Sequence, residues 1–345
     1  MSSQNVIDRP VATVADRDAR DSAGRRAVRL IGRYGTPGVF VLLLIVFGIL
    51  EGGMFFSVSN FVNVLVQSVI PIVIALGLTI ILLVGEFDLS IGYNASLAGV
   101  LTASLYSGPL IQKVLVLLLV IAVGALIGFL NGIIVTKLGV NALVATLGVG
   151  SLVVGANYLV TRGSPLTLKS DGTELTNVFL SGIGPVPWVI IIAAAVAVVM
   201  WLVLNRTTLG LEIKAVGGNR VASELSGIRA HRVIIMSFMI GGAFAAIGGI
   251  LLTANVGSGQ VVGGDGYLLS SFAACFLGSA VLRDGEFHTV GTVVGVLTIT
   301  IGFNGLAIYG VGASAQFFFQ GALLIAAVGM STAARRIIMG RRIGH

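Results

Sequence analysis

Charge is what this chain has least of: Asp, Glu, Lys and Arg make up 10% of its 345 residues, while 56% are hydrophobic. A soluble domain carries about a quarter charged residues, so the shortage excludes an ordinary water-soluble globule. Cysteine is almost absent. Cys275 stands alone, which rules out an intramolecular disulfide or a cysteine-based metal cluster and leaves a small apolar filler. The three histidines, His231, His288 and His345, all fall between or beyond the apolar runs. No imidazole is therefore expected mid-membrane as a base, proton relay or metal ligand, and no metal site is expected. Acidic residues also lie at or near loops, and a charge at the bilayer centre costs roughly 2.5–3.5 kcal/mol, so nothing points to proton- or ion-coupled transport. The chain has no Gly-Lys dipeptide, hence no phosphate-binding loop of the G-x-x-x-x-G-K-[ST] kind. It also lacks the G-x-S-x-G hydrolase elbow. No catalytic residue and no cofactor on this chain are expected.

What is present is long apolar sequence, with a mean hydropathy of +1.03. A membrane helix needs ~20 apolar residues, and uncharged runs occur at Val39–Leu50 (extendable through Phe56), Phe61–Gly85, Leu89–Gln112, Val114–Thr136, Leu138–Thr161, Leu175–Asn205, Val233–Gly264, Gly266–Leu282 and Thr289–Ala334. The last is long enough for two helices, with a natural break at Tyr309-Gly310-Val311-Gly312. The expected fold is an all-α polytopic membrane protein of about ten transmembrane helices. Residues 1–33 read as a disordered basic cytoplasmic tail, 34–334 as the transmembrane domain and 335–345 as a second basic cytoplasmic tail. The start of the apolar sequence is too late, and its end at Glu51-Gly52-Gly53 too unlike a cleavage site, for a cleavable signal peptide.

The net charge of +7 reflects topology rather than nucleic-acid binding, because the basic residues are spread over loops and tails and not interleaved with aromatics. With both termini cytoplasmic, only Lys113, Arg162 and Lys169 of the 21 Lys and Arg fall outside, as the positive-inside rule requires. Gly85-Glu86-Phe87 returns as Gly285-Glu286-Phe287 in a second cytoplasmic loop, which suggests repeated halves. Among the 48 glycines, Gly124, Gly128 and Gly132 fall on one stripe, as do Gly291 and Gly295; such stripes let helices approach closely in lipid.

Polar residues inside the runs are amides: Asn63, Gln67, Asn94, Asn131, Asn157, Asn304, Gln316 and Gln320. Lining a cavity, they would replace the water bonds of a neutral hydroxylated solute; between helices, they would be interhelical glue. Asn63 and Gln67, four apart on one face, make the best pair for a pathway. The most informative loop, Arg206–Arg232, holds Gly217-Gly218-Asn219 and then a short helix. Asn219 suits the N-cap and Gly227 the stop, and Val221 and Leu225 share a face. A two-turn helix is too short to be stable alone. It invites a docking partner, the alternative being a helix lying on the headgroups.

Several ordered motifs carry a resemblance: Gly85-x-x-Asp88-Leu89-Ser90-x-Gly92, Leu130-Asn131-Gly132, Ala145-Thr146-Leu147, Gly163-Ser164-Pro165, Gly217-Gly218-Asn219 with Ser226-Gly227-Ile228, Gly266-Tyr267, Gly291-Thr292 and Asn304-Gly305-Leu306. Over roughly Phe61 to Ala334 the chain resembles the permease subunits of bacterial ABC importers of the ribose, xylose and galactose type. The resemblance implies an ABC importer permease fold in the bacterial inner membrane, paired with a second permease copy or paralogue. It also implies an ATP-binding subunit, which carries the ATP and Mg, and an extracytoplasmic solute-binding protein. The segment around 217–228 is similar to that family's coupling helix, which implies ATPase coupling for Gly217, Gly218, Asn219, Val221, Glu224, Leu225, Ser226, Gly227 and Ile228. A monosaccharide is the implied solute, with nucleosides, polyols, a sugar-like signal molecule or branched-chain amino acids as alternatives; a stand-alone carrier or a membrane-embedded enzyme would be readings of another class.

The chain departs from that family at Glu86, where Gly is usual, at Leu268 and Ser270, where Glu and Asp are usual, and at Arg283-Asp284-Gly285-Glu286, which replaces a Gly-rich stretch. Glu86, Asp88, Arg283, Asp284 and Glu286 are expected to form a cytoplasmic charge cluster, or else to be separately solvated loop charges.

Overall fold

The computed structural model describes residues 37–279 and 285–342, with the side chains of 330–342 left aside. The tail at 1–33 and the residues Arg283 and Asp284 lie outside the described residues.

The described chain is helical, with only short strand pairs. Its helices are α1 (Pro37–Phe55), α2 (Val58–Leu83), α3 (Ile91–Leu105), α4 (Leu110–Lys137), α5 (Ala142–Thr161), α6 (Asn177–Leu180), α7 (Trp188–Arg206), α8 (Thr208–Gly218), α9 (Arg220–Leu225), α10 (Ala230–Val256), α11 (Asp265–Ser279), α12 (Thr289–Ile308) and α13 (Ala313–Arg342). Seven of them, α1, α2, α4, α5, α7, α10 and α12, are long and apolar enough to cross a membrane. The chain is a multi-pass membrane protein.

α2 is the central helix, buried over most of its 26 residues and packed against α10, α12, α11 and α7. α3 packs on α10, α5 and α4. α3 and α11 have 15 residues each, or about 22 Å of helix, short of the ~30 Å hydrocarbon core. α3 is buried over most of its length and α11 over about half.

Glycine makes this density possible. A Cβ on Gly124, Gly128 or Gly132 would strike α10 at Gly242, Phe238 or Ile235, and one on Gly291 or Gly295 would strike α11 at Gly278 or Ala274. Both stripes thus face the neighbouring helix at backbone contact, where lipid itself supplies no drive to associate.

The boundaries follow local chemistry. α12 stops at Ile308, Gly310 takes φ 79° and α13 opens at Ala313, so the break falls at Tyr309–Gly312. α13 then continues past Ala334 to Arg342.

Two expectations are corrected. The run Leu175–Asn205 holds one span, α7, but only from Trp188 onward: before it come the end of a 3-10 turn (Ser170–Thr176), α6 and a hairpin of β2 (Gly182–Ile183) and β3 (Val186–Pro187). Gly184 at φ 59° followed by Pro185 forces that turn. Lys113, read as a loop residue, is buried in the first turns of α4, where it pairs with Glu174, bonds the Asp171 carbonyl and lies 5.6 Å from the Tyr106 ring. A buried ammonium needs such partners. The 3-10 turn is thereby tied to α4, and strand β1 (Leu166–Thr167) pairs antiparallel with β4 (Ser258–Gly259) beside it.

Candidate functional site

A cavity of about 470 Å³ opens between α2, α10, α11, α12 and α13, within the range of small-molecule sites. α2 contributes Asn63, Gln67, Ile70 and Pro71, and α13 contributes Gln316, Phe317 and Gln320. Asn255 at the end of α10, Tyr267 and Ser270 on α11 and Thr300 and Phe303 on α12 complete its polar and aromatic lining. No Asp, Glu, Lys, Arg or His is among the described residues that line it.

The helical repeat explains the α2 face. Asn63, Gln67 and Pro71 are successive residues at a spacing of four, one above another on the cylinder. Pro71 has no N–H to give the Gln67 carbonyl, so the cavity-facing stretch of α2 carries a backbone acceptor lacking its helical partner. On the opposite wall Gln320 Nε2 donates to Ser270 Oγ at 3.1 Å, and Ser270 donates in turn to the Gly266 carbonyl at 2.7 Å. The Phe303 and Phe319 rings meet edge to face with centroids 6.0 Å apart.

Asn63, Gln67, Gln316 and Gln320 thus share this cavity, whereas Asn94, Asn131, Asn157 and Asn304 tie helices together. Asn94 donates to the carbonyls of Gly124 and Gly242 at 3.2 and 3.3 Å, Asn157 to the Val261 carbonyl at 3.2 Å, and Asn304 to Asn60 at 3.0 Å. Asn131 donates to Ser90 Oγ at 2.8 Å. Asn255, Tyr267, Ser270 and Thr300 join the lining without being among the amides that the sequence offers for a pathway. Asn255 was visible as the polar end of an apolar helix, and Tyr267 follows the Gly266 already noted in a motif.

Three of the sequence motifs meet at one knot. Ser90 N–H and Oγ both donate to Asp88 Oδ1, at 2.7 and 2.6 Å, Asn131 from α4 bonds Ser90, and the Leu89 N–H donates to Thr146 Oγ1 of α5 at 3.0 Å. Asp88 is 1% exposed, and burial pushes its carboxyl up to about 6, against the pull of the Ser90 bonds. Asp88 is thus buried rather than a solvated loop charge. Glu86 is half-buried beside Arg220 of α9; burial raises its carboxyl and Arg220 partly offsets that. Glu286 is exposed.

At the other end of the molecule from the cavity's α2 residues, Asn219 closes α8 and caps α9, its side chain accepting from the Ala222 N–H at 3.0 Å. Gly227 takes φ 88° and ends the segment, while Ser226 and Ile228 fold back on Ala222 and Ser223. The apolar side chains of α9 are unsupported: Val221 is 68% and Leu225 85% exposed. Arg220 pairs with Glu224 at 3.5 Å.

Residues 60–328 match the family described as branched-chain amino acid transport system / permease component. The galactose/methyl galactoside import permease protein of Haemophilus influenzae is 32% identical over 312 residues, covering 85% of this chain and 93% of that protein. The ribose import permease proteins of Escherichia coli and Bacillus subtilis are each 34% identical, over 79% and 84% of this chain and 86% and 89% of their own lengths. No solved structure matches the chain. A multi-pass bundle with a charge-free polar cavity and an exposed apolar helix is the setting for transport, and the chain belongs to the branched-chain amino acid transport system / permease component family.

Proposed function

We propose that the chain is the membrane-spanning permease subunit of an ATP-driven importer in the bacterial inner membrane, and that its solute is a small neutral polar molecule of the monosaccharide class. The observation that carries the solute is the lining of the cavity: amides and hydroxyls, aromatic faces and no charged group among the described residues. Such groups exchange hydrogen bonds with sugar hydroxyls without trapping the solute by charge, and aromatic rings offer apolar faces to the C–H side of a pyranose or furanose. The named relatives are permeases for ribose and galactose.

In this reading α9, the exposed part of the coupling segment 217–228, docks on a separate ATP-binding subunit that holds ATP and Mg. A second copy or paralogue of the permease completes the path, and an extracytoplasmic binding protein delivers the solute. The topology has ten membrane helices, the seven long ones with α3, α11 and α13, and both termini cytoplasmic. Two halves related by an internal repeat are supported by local geometry. Gly85 and Gly285 take φ 90° and 91°, and the third residue after each, Asp88 or His288, accepts from a backbone N–H at the start of the next helix.

The test is uptake of labelled pentoses and hexoses by proteoliposomes holding the purified complex. Uptake of a neutral sugar that needs ATP and the binding protein supports the proposal. Preferential uptake of a charged solute, or of a branched-chain amino acid, contradicts it.

A further inference from the structure

α8 ends in two adjacent glycines with different surroundings. A Cβ on Gly218 would meet nothing within 4 Å, but one on Gly217 would overlap the carbonyl oxygen of Leu83 and come within 3.3 Å of the Val84 Cα. Gly217 is helical, so no unusual backbone angle demands a glycine there; the demand comes from the contact. That contact is with the last residue of α2, whose opposite stretch carries Asn63, Gln67 and Pro71 into the cavity. The stretch of α2 from Ile72 to Leu83, beyond Pro71, is about 17 Å long, and its residues from Ile72 to Leu82 are all buried, so close packing leaves it little free space to bend into.

Charge acts across the same junction. Glu86, three residues beyond Leu83, is within electrostatic range of Arg220, the first residue of α9, whose ion-pair partner is Glu224 at 3.5 Å. α9 is therefore tied to the end of α2 sterically, through Gly217 on Leu83, with Arg220 and Glu86 attracting each other across the junction.

We infer that Gly217 is a positioning residue for transport, the joint through which displacement of α9 is passed to α2 and thereby to the cavity. The inference rests on the proposed docking of α9 on an ATP-driven subunit. An added methyl at 217 lifts α8 off α2, so α9 keeps its docking surface while α2 no longer follows it.

The experiment uses the whole complex in proteoliposomes and reads three quantities: ATP-binding subunit recovered with the permease, ATP hydrolysed, and solute moved per ATP. Gly217→Ala is expected to keep the ATP-binding subunit and ATP hydrolysis while solute moved per ATP falls by about fivefold or more. Gly148→Ala, at a helical glycine with open space around it, is expected to match wild type. Because Gly217→Ala can also disturb insertion, the charge pair supplies a second test. Arg220→Glu and Glu86→Arg are each expected to lower solute moved per ATP, and the double exchange to recover at least half of the loss. Wild-type transport per ATP in Gly217→Ala, or no recovery in the double exchange, would overturn the joint. If wild type itself recovers no ATP-binding subunit and transports without ATP, the importer reading fails first, and the joint with it.

Discussion

Asn60 at the start of α2 and Asn304 near the end of α12 exchange hydrogen bonds, each Nδ2 donating to the other's Oδ1 at 3.0 Å. Asn60 is half-buried and also donates to the Phe55 carbonyl at 2.9 Å, whereas Asn304 is buried; replacing Asn60 therefore strands Asn304 at a cost of about 1–3 kcal/mol, and replacing both removes the orphan. Asn60→Leu is expected to lower the apparent melting temperature in detergent, and Asn60→Leu/Asn304→Leu to lower it less. A double variant that loses the sum of both single losses would show that the amides do not act as a pair.

The two classes of amide separate by what they lose. Gln67→Leu, at a cavity position, is expected to slow solute uptake about tenfold with thermal stability held. Asn94→Leu, which frees the Gly124 and Gly242 carbonyls, is expected to lower stability by about 1 kcal/mol. Uptake at fixed complex concentration, read beside melting in detergent, distinguishes the outcomes.

This division was only partly legible in the sequence. Asn63 and Gln67 could be paired because a spacing of four places residues on one helical face whatever surrounds them. Nothing local told them from Asn94 or Asn131, whose partners are two backbone carbonyls and a hydroxyl, respectively, contributed from elsewhere in the chain. The stripe Gly124–Gly128–Gly132 did signal a close approach, and α10 is the helix that approaches. α3 was legible as apolar but not as short, because the uncharged run continues past its end at Leu105 to Gln112. The hairpin at 182–187 was legible, through Gly184-Pro185, and an apolar run masked it.

Asp88 ties stability to pH. Its folded value, about 6, stands above the ordinary 3.8, so the folded state favours the protonated carboxyl. The penalty is absent below pH ~4, grows as pH rises between the two values and is complete above pH ~6, where a shift of about two units amounts to about 3 kcal/mol. Asp88→Asn, which keeps an acceptor for Ser90, is expected to melt above wild type at pH 7.5 and level with it near pH 4. A variant less stable than wild type at pH 7.5 but level with it near pH 4 would show that the ionised carboxylate is required.

Contact between α4 and α10 allows no side chain at its centre. Gly128→Ala would drive a methyl into the Phe238 carbonyl, and overpacking of this kind costs about 1–3 kcal/mol. Gly155→Ala on α5, with nothing near its Cβ, is expected to be neutral or to stabilise by up to ~1 kcal/mol through helix propensity. Melting curves of the two variants in one detergent decide this; equal losses would mean that the close approach contributes nothing.

The central claim is that an exposed two-turn helix couples this chain to a separate ATP-driven subunit. Its most direct test is affinity purification of the tagged chain in mild detergent, wild type against Val221→Asp/Leu225→Asp, with identification of what co-purifies. Both side chains are exposed, so the variant is expected to fold and to lose only its partner. The account predicts an ATP-binding subunit with wild type and none with the variant. Wild type recovered alone, moving solute into vesicles without ATP, would contradict it and favour a self-sufficient carrier.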